Sequence, residues 1–181
     1  MLFNKVAFAL LFLVGLSFSK LHRRNSVSLQ AYTQSSIDLQ NGFNNVFYTI
    51  GTNFNQVVVS CRYSRLGDVI AYFSRVHSAV ALLSGKCLIG FKYHELALRF
   101  SNYFFHILFE LQSALSVISR YRKMILGCRG ILVSISIHLN YIITYMNRAN
   151  IDVGEMGRYY SRNINFYFFD RFGISLNLDA F

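Results

Sequence analysis

Residues 39–58 read LQNGFNNVFYTIGTNFNQVV, and their main apolar members are Leu39, Phe43, Val46, Phe47, Ile50, Phe54, Val57 and Val58. The gaps are 4, 3, 1, 3, 4, 3 and 1. Such spacing lays one stripe along a helix of 3.6 residues per turn, whereas a strand would alternate. Asn44, Asn45, Asn53 and Gln56 take the other faces. Ser35 and Ser36 stand where an N-cap would, with Asp38 in the first turn. The spacing predicts a helix over 36–60.

The same period recurs three times downstream. Leu66, Val69, Ile70, Phe73, Val76, Val80 and Leu83 make a second stripe, and Gly85 is read as its stop. Tyr93, Leu96, Phe100, Tyr103, Phe104, Ile107, Leu111, Leu115, Ile118 and Tyr121 make a third and longest one. Ile125, Cys128, Leu132, Ile135, Leu139, Ile142, Ile143 and Met146 make a fourth, ending near Asn147 to Asn150. Proline, which breaks helix interiors, is absent, although average usage would give roughly nine. Beyond Ile151 the period weakens. Val153, Met156 and Tyr160 suggest a fifth, shorter helix, and Ile174, Leu176 and Leu178 alternate as in an extended tail. The fold class expected is all-α, a four- to five-helix bundle with an extended C-terminal tail. One domain, 36–181, holds it.

The N-terminal 19 residues read as a cleavable signal peptide. Lys5 is the positive region, the apolar stretch runs from Val6 to Phe18, and Ser17-Phe18-Ser19 is a small-x-small end. Residues 20–35 read as a flexible lead-in or short pro-segment, with Arg23 and Arg24 as a candidate dibasic processing site. A secreted chain is therefore expected, and in an oxidising compartment Cys61, Cys87 and Cys128 are candidate disulfide cysteines. No Asn-x-Ser/Thr sequon is present, so no N-glycan is expected.

Lys and Arg number 18 against 8 acidic residues, for a formal net charge of +10. The positive charge is dispersed, which favours anionic surfaces in general and lowers the case for nucleic acid in a secreted chain. Catalytic motifs are missing: His94-Glu95 lacks the second histidine of a zinc-protease helix, and no nucleophile elbow or phosphate loop occurs. No cofactor or metal is expected, and His77, His106 and His138 read as interior or groove histidines. Glu110, in a stretch nearly free of charge, reads as solvent-facing or paired with an arginine.

Consecutive rings between Tyr159 and Phe169 cannot all face one core. Arg158, Tyr159, Tyr160, Arg162, Phe166, Tyr167, Phe168, Phe169 and Arg171 are thus the candidate surface-binding patch. The function expected is a small non-enzymatic basic protein engaging an anionic or hydrophobic surface (membrane, cell wall, lipid) or a protein partner. The alternative is a multi-span integral membrane protein, using segments 79–93, 104–118 and 131–146. Lys86, Lys92, Glu110, His138 and Asn140 interrupt those segments, each shorter than the ~20 apolar residues a span requires.

Overall fold

The computed structural model describes residues 38–92 and 94–178, so the signal peptide, the lead-in and the dibasic pair lie outside the described residues. Among these residues every regular element is helical. Helix α1 covers 38–62, α2 Leu66–Gly90, α3 His94–Ile118, α4 Arg122–Arg148, α5 Val153–Tyr160 and α6 Phe166–Asp170.

Most of each predicted stripe becomes the buried face of its helix; in the third, Tyr103 is exposed instead and Tyr93 lies outside the described residues. Ile50, Val57, Val69, Phe73, Val80, Phe104, Leu111, Leu132, Leu139 and Ile142 are all fully buried in one core whose buried members range from Phe43 to Ile174. Phenylalanine fills much of it: Phe73, Phe100, Phe104, Phe105 and Phe169 are among its largest fully buried side chains. Phe43 contacts Phe91 and Phe100 at centroid distances of 6.3 and 5.2 Å, closing the top of the α1–α3 interface. Among the few buried polar side chains, Ser101 donates to the Leu98 carbonyl at 2.6 Å and Ser136 to the distant Ser175 carbonyl at 3.0 Å.

Helix directions follow from which residues meet. Phe54 packs on Phe73, and Phe43 on Gly90, so α1 and α2 run antiparallel. Phe47 lies against Phe100 and Tyr103 while Gly51 faces Glu110, so α1 and α3 run parallel. Gly127 sits on Leu66 and Ile70, and His138 on His77 and Ser84, so α2 and α4 also run parallel. The α2–α4 contact is the most extensive among α2 to α6, although α3 separates the two in sequence.

Helix ends are set by backbone geometry, and here one expectation is corrected. Gly85 does not stop α2, which continues to Gly90; with helical neighbours on both sides and no left-handed φ, Gly85 is simply an exposed interior residue. Three chain reversals instead use left-handed residues, Ser64 (φ 55°), Asn150 (φ 59°) and Gly173 (φ 76°). Each has the paired bonds of a Schellman motif: Arg65 N to Ser60 O, Ile151 N to Met146 O, and Ile174 N to Phe169 O, at 3.0, 3.1 and 3.2 Å. Tyr121, read as part of the third stripe, is the extended N-cap residue of α4.

The segment after Ile151 is more ordered than its weak periodicity implied. Asp152 caps α5 by accepting from the Glu155 amide at 2.7 Å, and Asn165 caps α6 by accepting from Phe168 at 3.2 Å. The aromatic run thus folds into a second short helix. Beyond it, residues 172–178 form no strand but keep the alternation, with Phe172 and Ile174 buried and Gly173, Ser175 and Asn177 exposed. Asn140 of α4 supplies what a neighbouring strand would. Its side chain donates to the Ser175 carbonyl at 2.7 Å and accepts from the Asn177 amide at 2.9 Å.

Candidate functional site

The aromatic segment separates into a core-facing and a solvent-facing part. Phe169 is fully buried, so it is removed from the candidate patch: it stands one turn before the Schellman reversal, which turns its ring against the bundle. Tyr160 stacks on Phe105 at 4.6 Å and 6°, and its hydroxyl donates to Asn102, which ties α5 to α3. Phe166 and Phe168 are half-buried. What faces solvent is Tyr159 (75%), Tyr167 (86%), Arg158, Arg162 and Arg171, the last lying over the Phe168 ring at 5.9 Å. Arg158 also lines a cleft of about 640 Å³ with Arg148, Asn147 and Asn150.

The three cysteines are buried thiols. Cys61 lies inside the last turn of α1 and Cys87 inside α2, rather than beyond those helices. Burial pushes Cys61 up to about 11, and burial with Cys61 alongside pushes Cys128 up to about 11. Cys87 is shifted in the same direction by burial. Cys61 and Cys128 share the pole where α1 ends and α4 begins. Cys87 stands 21 residues into α2 from Leu66, roughly 30 Å along the axis, which separates it from that pair.

Glu110 is half-buried, and its partner is His106 on the same helix at 3.8 Å, not an arginine. One carboxylate oxygen faces Gly51, where an added Cβ would come within 3.0 Å.

A second surface emerges that the sequence reading touched only through its apolar segments. On α2 the outward row is Gly67, Ala71, Ser74, Ser78, Leu82, Gly85 and Ile89; on α4 it is Leu126, Gly130, Val133, Ile137 and Tyr141. All are exposed, and none carries a charge. Because the helices run parallel, their opposite angular offsets from the shared seam bring both rows to the same side of the pair. The exposed serines have turned inward chemically: Ser74 donates to the Ile70 carbonyl at 2.9 Å and Ser78 to the Ser74 carbonyl at 3.1 Å. Their hydroxyls are occupied by their own helix.

Charged residues border this face without entering it. Arg75 and Arg129 flank it, while Arg122, Lys123 and Arg65, the last paired with Asp68 at 3.9 Å, stand at one end and Arg148 at the other. The opposite side of the bundle is mixed: Asn41, Asn44, Asn45, Thr52 and Asn55 on α1 and Arg99, Asn102, His106 and Ser113 on α3 are exposed, and so are Tyr48 (79%), Val59, Tyr103 and Phe109 among them. By length and composition α2 and α4 are each apolar enough to cross a membrane. That property could have directed the sequence reading to this face, because it marks helices whose outer side is not polar.

Fold and surface together define a basic protein, helical in the described residues, with an uncharged flank on α2 and α4 and a mixed polar and aromatic flank on α1 and α3. Comparison with family models, curated proteins and solved structures finds no match.

Proposed function

We propose that this chain is a secreted, non-enzymatic helical protein that docks on anionic membrane surfaces through the outer rows of α2 and α4. The observation that carries the reading is the uncharged double row bordered chiefly by arginine and lysine. Apolar side chains at the centre gain from leaving water, and the basic border complements lipid phosphates and carboxylates. Interfacial binding of an amphipathic surface depends on both contributions together. The C-terminal group of Arg158, Tyr159, Arg162, Tyr167 and Arg171 is an auxiliary contact in this reading.

The test is co-sedimentation with phosphatidylcholine vesicles, with and without phosphatidylserine. The wild type should prefer the anionic vesicles. The triple variant Leu126→Ser, Val133→Ser and Ile137→Ser should bind at least about tenfold more weakly, since three exposed apolar side chains are removed. Changing Arg158, Arg162 and Arg171 to glutamine should cost less. Unchanged binding by the serine variant would sink the docking face, and a larger loss in the glutamine variant would move attachment to the C-terminal patch.

A second reading has its own observation, the apolar length of α2 and α4, which suits helices that span the bilayer. Alkaline carbonate washing separates the two: a docked protein is released, a spanning one stays with the membrane.

A further inference from the structure

The seam between α2 and α4 carries two imidazoles within reach of one another. His77 on α2 and His138 on α4 have ring centroids 5.3 Å apart, and both rings are half-buried. Nothing in the helical packing requires this pair, since small or aliphatic residues elsewhere on the seam, such as Gly127 against Leu66 and Ile70, pack it closely.

Hydrogen bonding around His138 orients its ring. Ser84 Oγ donates its single proton to the Ala81 carbonyl at 2.9 Å. With that proton so committed, its contact with His138 Nδ1, 3.3 Å away, suits the tautomer that carries hydrogen on Nδ1. The Nε2 lone pair is left for another partner. A ligating histidine characteristically donates its other ring N–H in this way, which fixes tautomer and ring orientation.

We propose that His77 and His138 form a two-ligand, exchangeable site for a divalent transition-metal ion, Zn2+ in the first instance, clamping α2 to α4. Zinc bonded to two imidazole nitrogens at about 2.0–2.1 Å and near the tetrahedral angle places the ring centres roughly 5 Å apart, close to the separation here. Among the described residues no group of three or more His, Cys, Asp or Glu could hold a metal. Water completes the coordination, so the site is open and labile, unlike a closed structural site. The remaining described histidines lack this arrangement: His94 Nδ1 bonds the Ala149 carbonyl at 2.9 Å, and His106 neighbours Glu110.

The test is titration of the full chain with Zn2+, read by calorimetry and thermal unfolding. One ion per chain should bind, and the unfolding midpoint should rise by roughly 5–10 °C at a free Zn2+ 100-fold above Kd. His77→Gln and His138→Gln should each weaken binding at least about tenfold, as should Ser84→Ala by loss of the orienting bond, while His106→Gln leaves it unchanged. Nitrogen-15 spectra of the wild-type imidazoles give a readout free of any folding defect in the variants. The His77 and His138 ring signals should move together at one equivalent. Movement of only one ring, or wild-type affinity in His77→Gln, would overturn the site.

Discussion

Glycines at three positions of α2 and α4 look alike in sequence and behave differently in the fold. An added Cβ at Gly85 or Gly130 meets nothing within 4 Å, whereas at Gly127 it would come within 3.1 Å of Leu66 Cδ1 and 3.3 Å of Ile70 Cδ1. Alanine is favoured over glycine in a helix interior by about 0.8–1 kcal/mol. Gly85→Ala and Gly130→Ala should therefore each stabilise the protein by about 0.5–1 kcal/mol in urea unfolding, while Gly127→Ala should gain nothing or lose stability by crowding the seam. Misreading Gly85 as a stop has the same origin: a glycine's spacing says nothing about its φ, and the reversals fell to Ser64 and Asn150 instead. The cysteines make a pH-dependent case. In the fold the Cys61 and Cys128 thiols are held above their ordinary value of 9.0 by burial, so the protonated thiol is the form the fold favours. That contribution is whole below pH ~9 and is lost as pH rises through about 11. The double variant Cys61→Ala, Cys128→Ala should thus lose less thermal stability than the wild type across that alkaline window. An equal loss would assign the alkaline decline to other groups.

At the scale of elements, the helices were legible because each must bury its own stripe, and the period shows this without reference to any neighbour. Pairing was not legible. Any of the four stripes could bury any other, and the parallel α2–α4 seam joins residues such as Gly127 and Leu66 whose side chains carry no sequence mark of each other. The C-terminal segment was half legible. Alternation at Ile174, Leu176 and Leu178 pointed to an extended tail, but the partner is a helix side chain, and one asparagine inside a helical stripe gives no hint of a role 35 residues away. Asn140→Ala removes both of its bonds to the tail. The expected cost is about 1–2 kcal/mol, with faster amide hydrogen exchange at Asn177 and unchanged exchange in the core of α3. The Ser136 hydroxyl still donates to Ser175 at 3.0 Å, so the tail should loosen from Leu176 onward rather than detach. Uniform exchange throughout the tail and bundle would show instead that Asn140 supports the fold as a whole.

For the whole molecule, the two flanks of the bundle create a direction, and direction can be measured. If the α2–α4 side meets the membrane, the α1–α3 side faces water, and a reporter on each side must respond differently. The chain contains no tryptophan, so a single introduced indole gives an unmixed signal. Ile137, half exposed on the outer row of α4, and Thr52, exposed on α1, are suitable positions because neither contributes to the buried core. Tryptophan favours the headgroup region, where its ring is partly withdrawn from water. Anionic vesicles should therefore blue-shift the emission of Ile137→Trp and shield it from aqueous quenchers, leaving Thr52→Trp as it is in buffer. Raising the salt should reduce the vesicle-bound fraction, because the basic border acts over a Debye length of about 8 Å at physiological ionic strength. It should not abolish the shift in molecules that remain bound, since apolar contact is unscreened. A shift at both positions would mean that the protein is engulfed by the bilayer rather than docked on it. A shift at Thr52→Trp alone would reverse the orientation and leave the apolar rows without a role at the membrane.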